Sequence, residues 1–183
     1  LTGELRGEIT RARMVPVGPM FQQHLRTVRD VATTHGKQVR LVVEGEDVEV
    51  DTAVVEYVRD PLTHMVRNAL DHGIEPPEVR RAAGKDPTGR LLLRAYHEAG
   101  SMVIQVSDDG AGLDRKRIAD QAVAMGLAAD GARLSNEDLA RVVFEPGLST
   151  AERVTELSGR GVGMDVVRRN VEALRGSVSI ESE

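Results

Sequence analysis

Residues 60–85 read DPLTHMVRNALDHGIEPPEVRRAAGK, and the organisation of the chain follows from how this stretch divides. Asp60-Pro61 offers a helix cap with proline at the first helical position, and Gly73 offers a stop. At about 100° per residue, His64, Arg67, Asn68, Asp71 and His72 fall on one arc of roughly 140°. Leu62, Val66, Ala69 and Leu70 fall opposite. A solvated helix face ordinarily carries Lys and Glu. This one carries Asn, Asp and two His, poorer helix formers with better ligand chemistry. An Asn carbonyl is a hard oxygen donor of the kind Mg²⁺ takes.

Upstream, Leu1, Leu5 and Ile9 form a helical stripe that Pro16 and Pro19 interrupt. Phe21, Leu25, Val28 and Val31 carry a second helix up to Gly36. Residues 38–44 and 48–50 read as short β-branched strands joined by a turn around Gly45. Asp51 caps a helix through Val55 and Val58, which either restarts or kinks at Asp60-Pro61 and continues to Gly73. Downstream, Glu75-Pro76-Pro77-Glu78 starts a short helix ending near Gly84. Residues 91–97 and 102–107 pair around Ala99-Gly100, with Met102, Ile104 and Val106 on one face. Helices are expected near 114–126 and 135–143. A last helix carries Val167, Val171 and Leu174 to a stop at Gly176, and 177–182 begins a strand that is cut short. Helices mixed with antiparallel strands argue for an α+β sandwich.

With 183 residues, 40% apolar and 29% charged, the chain has the composition of an ordinary globular domain rather than a disordered one. The four aromatics, Phe21, Tyr57, Tyr96 and Phe144, are too few to fill a core, which must be aliphatic. Zero cysteines exclude a disulfide scaffold, a Cys-ligated zinc, an iron–sulfur cluster and a thiol nucleophile, and fit a reducing compartment. No apolar run approaches the ~18 residues of a membrane span. A formal charge of −5 argues against a general nucleic-acid binder. The opening on Leu1, without a basic-then-apolar leader, reads as a fragment of something longer.

Two further constellations carry chemistry. Asp108-Asp109-Gly110-Ala111-Gly112 directly follows a strand: a carboxylate there can accept a hydrogen bond from an exocyclic amine, and the glycines let a flat ring approach the backbone. The same residues also suit a simple turn. Gly159-Arg160-Gly161-Val162-Gly163 opens a helix whose free N–H groups suit a phosphate. It reads G-x-G-x-G and follows no strand, which disfavours a dinucleotide fold. The Gly-Lys pairs at Gly36 and Gly84 lack the Ser or Thr of a P-loop. His24, His35 and His97 lie outside these motifs and read as surface or turn residues.

Taken together, the Asn-bearing helix, Asp108-x-Gly110-x-Gly112, the Phe144 loop and Gly159-x-Gly161-x-Gly163 resemble the ATP-binding fold of histidine kinases, gyrase-type ATPases, Hsp90 and MutL. Residues 60–85, DDGAGLD at 108–114, FEPGLSTAE at 144–152 and SGRGVGMDVVRRNVEALRG at 158–176 closely resemble the CheA family of chemotaxis histidine kinases, a likeness running from about Arg13 onward. The resemblance implies a two-layer α/β sandwich of the Bergerat type, with a mixed, mostly antiparallel sheet covered by helices on one face. Residues 1–35 would be a helical lead-in, the end of a dimerisation helix and its linker. Residues 36–183 would be the catalytic domain, truncated at its C-terminal strand.

For the site, the resemblance implies that Asn68 holds the Mg²⁺ bridging the ATP phosphates and that Asp108 accepts the adenine amine, with Gly110 and Gly112 lining the base. Gly159, Gly161 and Gly163 would surround the triphosphate, and Asp71, Ser149, Thr150 and Met164 would add nucleotide contacts. Residues 113–160 would form a mobile ATP lid hinged at the Phe144 loop. His64 stands where hydrolytic relatives carry a water-activating Glu; an imidazole there can steer a phosphoacceptor without activating water. Arg67 would offset triphosphate charge, and His72 lies beside them. The implied activity is transfer of the γ-phosphate to a histidine on a separate phosphotransfer domain, with a response regulator downstream. Adaptor and receptor array would couple through domains outside these residues, in a cytoplasmic protein that binds no nucleic acid. The full-length protein would be a homodimer and the fragment a monomer. The alternatives are an ATP-hydrolysing relative, against which His64 argues, and a catalytically silent scaffold, against which the intact Asn68, Asp108 and glycines argue.

Overall fold

The computed structural model describes residues 13–129, 134–148 and 163–182. The stripe Leu1, Leu5, Ile9 therefore lies outside the described residues. The chain divides into two units, Leu1–Gly110 and Ala111–Glu183.

In the first unit β1 (Met14–Pro16) leads into α1 (Gly18–Thr34), where Pro19 sits in the first turn, the one place its missing N–H costs nothing. Met20, Phe21, His24, Val28 and Ala32 recur at helical spacing and are buried. The helix closes on Gly36, whose φ of 61° lets the Lys37 N–H turn back to the Ala32 carbonyl at 2.8 Å. β2 (Gln38–Glu44) and β3 (Glu49–Asp51) follow. The expected turn at Gly45 joins them, but they enter different sheets. β3 pairs antiparallel with β1, whereas β2 pairs parallel with β4 (Thr88–Glu98). The partners of both strands are distant in sequence, beyond the reach of local pattern.

α2 (Thr52–Asn68) is capped as expected, the Asp51 carboxylate accepting the Ala53 N–H at 2.8 Å. It runs unbroken through Pro61 rather than restarting there. Pro61 has no N–H to donate to the Tyr57 carbonyl four residues back, and Tyr57 is 48% exposed. The helix then widens into a π turn (Ala69–Gly73), closed by the Ile74 N–H donating to the Ala69 carbonyl at 2.7 Å. α3 (Pro77–Ala82) leads to β4, which returns as β5 (Ser101–Asp108) through Ala99 and Gly100, both with positive φ as a two-residue hairpin of this hand requires.

The sheet order is β2-β4-β5, with β4 parallel to β2 and antiparallel to β5. Along β4, Gly89, Leu91, Leu93 and Ala95 are buried while Arg90 and Arg94 are exposed. Ile104 and Val106 stand opposite Ala95 and Leu93, so the expected apolar face of β5 is the helix-covered one. Gly89 admits Ile74: a Cβ there would meet Ile74 Cγ2 at 2.5 Å. The end of the π turn is thereby seated on the sheet.

The second unit holds α4 (Arg115–Ala124), α5 (Asn136–Val143) and α6 (Met164–Ala173). Asp114 caps α4, and Ser135 and Asp138 form a reciprocal capping box on α5. Ile118, Ala122, Leu139, Val142, Val143 and Leu148 make a local core, with Met164 and Ile180 packed against it. Residues 177–182 alternate in exposure as a strand does, yet no ladder forms among the described residues, so the expected strand is absent there. A strand needs a paired neighbour as well as a period of two.

Candidate functional site

α2 segregates its faces as its sequence dictates. Leu62, Val66, Ala69 and Leu70 are buried, while His64 and Asn68 are half-buried and Arg67 is exposed. Each residue of a π turn advances by less than 100°, so the helical projection does not extend to Asp71 and His72. Both are exposed on the turn. Asp71 Oδ1 lies 3.4 Å from His35 Nε2. The Lys37 ammonium donates to the carbonyls of Leu70 and Asp71, satisfying two acceptors that the widened turn frees. Burial lowers the Lys37 pKa, while the negative charges of Asp71 and Glu75 oppose that shift.

The π turn also meets the end of β5. A Cβ on Gly73 would lie 2.9 Å from Asp108 Oδ1, and one on Gly110 would lie 2.2 Å from the Gly73 carbonyl oxygen. Only glycine allows this approach at both positions. The Gly110 N–H donates to Asp108 Oδ1 at 2.9 Å, and Oδ2 accepts no hydrogen bond among the described residues. Asp108 is exposed as a residue, yet its carboxylate is hemmed in by these two glycines. Burial, reinforced by the charges of Asp109 and Glu75, raises its pKa above the ordinary carboxylate range, against the pull of the Gly110 N–H and Lys85. The corner thus offers one unspent acceptor beside bare backbone, which suits a planar ring carrying an amine.

Of the residues singled out from sequence, the structure brings His64, Asn68, Asp108 and Gly110 into the first unit, with Arg67, Asp71 and His72 on its surface. Gly112, Gly163 and Met164 belong to the second unit. There Gly163 is the N-cap of α6 and Met164 its first residue. Ser149, Thr150, Gly159 and Gly161 lie outside the described residues. Phe144 is the buried C-cap of α5. His35 and His97 are exposed as expected, but His24 is not a surface residue: it is 4% exposed on the core face of α1, and its Nε2 has no hydrogen-bond partner among the described residues. Its place in the apolar stripe of Met20, Phe21 and Val28 was the signal.

No cluster of three or more His, Cys, Asp or Glu among the described residues could hold a metal ion by itself. Mg²⁺ keeps waters and binds through substrate phosphates with one or two protein oxygens, and the Asn68 side chain carries an oxygen of that kind. Sequence reasoning also missed Arg80, which is 1% exposed on its short helix.

Residues 57–183 match the family described as Histidine kinase-, DNA gyrase B-, and HSP90-like ATPase. The chain is 47% identical to the chemotaxis protein CheA of Rhizobium meliloti, over 100% of this chain and 24% of that protein. It is 48% identical to CheA of Klebsiella aerogenes, over 98% of this chain and 27% of that one. It is 44% identical to the sensor histidine kinase CheAY of Helicobacter pylori, over 100% of this chain and 23% of its relative. The chain thus spans about a quarter of the length of these curated relatives. In fold it is similar to the histidine kinase domain of the Erythrobacter litoralis EL346 blue-light activated histidine kinase, with a TM-score of 0.51 and 15% identity, covering 92% of this chain and 56% of that one.

Proposed function

The chain belongs to the family of histidine kinase-, DNA gyrase B- and HSP90-like ATPases and is similar over its whole length to chemotaxis kinases; from that premise we propose that it binds ATP and transfers the γ-phosphate to a histidine of a phosphotransfer domain. The supporting observation is the meeting of Gly73, Asp108 and Gly110, with Asp108 Oδ2 free of any other partner among the described residues.

In this reading Asp108 Oδ2 accepts the exocyclic amine of adenine, and the bare backbone of Gly73 and Gly110 lets the ring lie close. Asn68, less than two turns upstream of Gly73, supplies its amide oxygen to Mg²⁺, which when bound offsets charge on the triphosphate. Gly112, Ser149, Thr150, Gly159, Gly161, Gly163 and Met164 are proposed as further nucleotide contacts, with Arg67, Asp71 and His72 contributing polarity. His64 orients the acceptor imidazole. That nitrogen bonds to the γ-phosphorus as the bond to the β-phosphate oxygen breaks, leaving ADP. A carboxylate in place of His64 would be a better base for water, so the imidazole favours transfer over hydrolysis.

The full-length kinase is proposed to be cytoplasmic and homodimeric, with a response regulator as final acceptor and adaptor and receptor contacts made by other domains. No described helix is long and apolar enough to cross a membrane. The test is a titration of the chain with an ATP analogue, with and without Mg²⁺, followed by transfer of labelled γ-phosphate to an added phosphotransfer domain. Mg²⁺-dependent binding with transfer is expected. Binding without transfer would contradict the kinase reading, and no binding would contradict the nucleotide site.

A further inference from the structure

Beside the corner of Gly73 and Asp108 lies a charge cluster that the nucleotide reading leaves unused. Glu75 stands two residues after Gly73, at the exit of the π turn, and each of its carboxylate oxygens holds a different cation. Oε2 accepts from Arg80 Nη1 at 3.0 Å, and Oε1 accepts from Lys85 Nζ at 2.7 Å. Both cations then reach across to the end of β5. Arg80 Nη2 donates to Asp109 Oδ2 at 2.8 Å, and its Nη1 donates to the Asp109 carbonyl at 3.1 Å. Lys85 Nζ donates to the carbonyls of Gly110 at 2.8 Å and Asp109 at 3.2 Å.

Asp109 is also tied to β4. Its Oδ1 accepts the Arg90 N–H at 2.8 Å, and its own N–H donates to the Arg90 carbonyl at 3.2 Å. Every polar atom of Asp109 is therefore engaged, whereas its neighbour Asp108 keeps one oxygen unspent. Two adjacent carboxylates of identical chemistry are sorted into an anchor and an acceptor. The cluster balances two acids against two bases. Arg80 is buried with a partner at each guanidinium nitrogen, its Nε donating to the Asp86 carbonyl at 2.6 Å, so its desolvation is compensated by charge-assisted bonds.

We propose that Arg80 and Lys85 are positioning residues for base recognition: bridging Glu75 to Asp109 and Gly110, they fix the separation between the π turn and the strand end and hold Asp108 Oδ2 on the exocyclic amine. The inference rests on the assignment of Asp108 to adenine and adds what sets its selectivity. Neither cation touches the nucleotide in this account. Each acts through the backbone of Asp109 and Gly110, where a displacement of a few tenths of an ångström misaligns a hydrogen bond without removing its acceptor.

The test compares ATP with inosine triphosphate, which carries an oxygen in place of the amine, on the full chain. Wild type should bind ATP roughly 10- to 100-fold more tightly, the value of one well-aimed hydrogen bond to a charged group. Lys85→Met leaves the buried Arg80 pairs in place and should lose most of that preference by weakening ATP alone, and Lys85→Arg should restore part of it. Equal loss of affinity for both nucleotides would mark Lys85 as merely structural and overturn the inference. An unchanged ratio would overturn it as well. A wild type without preference for ATP would instead refute the adenine assignment itself. Arg80→Lys, read in the same way, should lower the ratio with less recovery, since an ammonium cannot span Glu75, Asp109 and the Asp86 carbonyl together.

Discussion

Gly73 and Asp108 are in contact: a Cβ on Gly73 would stand 2.9 Å from Asp108 Oδ1 and 3.2 Å from its Cγ. The π turn after Asn68 and the end of β5 are thus parts of one corner, although thirty-five positions separate the two residues in the chain. Gly73→Ala should displace the end of a short side chain and leave the backbone in place. ATP affinity should fall about tenfold with the melting midpoint nearly unchanged. Gly110→Ala would press its Cβ on the Gly73 carbonyl oxygen at 2.2 Å, where backbone rather than a side-chain end must give, and should lower both. Calorimetric titration beside thermal melts separates the two outcomes; equal melting losses in the two variants would contradict the geometry.

The raised pKa of Asp108 makes it a cost to the unliganded fold. Its folded pKa lies above the unfolded value of 3.8, so the folded state binds the proton more tightly, and the ionised group opposes folding at neutral pH. Asp108→Asn should therefore melt higher than wild type near neutrality. The advantage should shrink as pH falls through the folded pKa, where wild-type Asp108 becomes neutral too. Denaturant melts across that range check the sign, and a destabilised variant at neutral pH would refute it.

His24 acts in another window. Burial lowers its pKa below 6.5, so the stability it leaves intact above 6.5 is lost as pH falls from there to the folded pKa, where the unfolded chain takes up the proton first. His24→Leu removes the orphaned Nε2 and should flatten the slope in that window. A slope equal to that of wild type would place the proton uptake elsewhere.

Much of this architecture was legible locally. The Asp51 cap, the Gly36 stop and the Ala99-Gly100 hairpin each depend on a few adjacent residues, as does the polar face of α2. What was not legible depends on distant partners. The parallel pairing of β2 with β4 joins Arg40 to Arg90, and the π turn rests on Lys37 and on Ile74 packing over Gly89. Nothing local marked Arg80, because its anchor, Asp109, is twenty-nine residues away. His24 misled for the opposite reason, its chemistry outweighing the apolar stripe in which it sits.

Binding and chemistry should separate at His64 and Asn68. His64→Ala should bind ATP nearly as wild type yet lose transfer to an added phosphotransfer domain, since orientation of the acceptor counts only on the way to the transition state. Asn68→Ala should abolish Mg²⁺-dependent transfer. Single-turnover transfer measured beside nucleotide affinity decides both. A His64→Ala variant whose affinity falls in step with transfer would make the residue structural, and wild-type transfer in Asn68→Ala would move the metal elsewhere.

The central claim is that Asp108 Oδ2 receives the adenine amine, and calorimetric titration of Asp108→Asn with Mg²⁺ and an ATP analogue tests it most directly. The amide keeps the shape and the Gly110 contact but replaces a charged acceptor, so affinity should drop by roughly 1.5–3 kcal/mol, the value of a hydrogen bond to a charged group. The preference for adenine over guanine nucleotides should drop with it. A dissociation constant equal to that of wild type, with base preference intact, would place the adenine away from Asp108 and contradict the account.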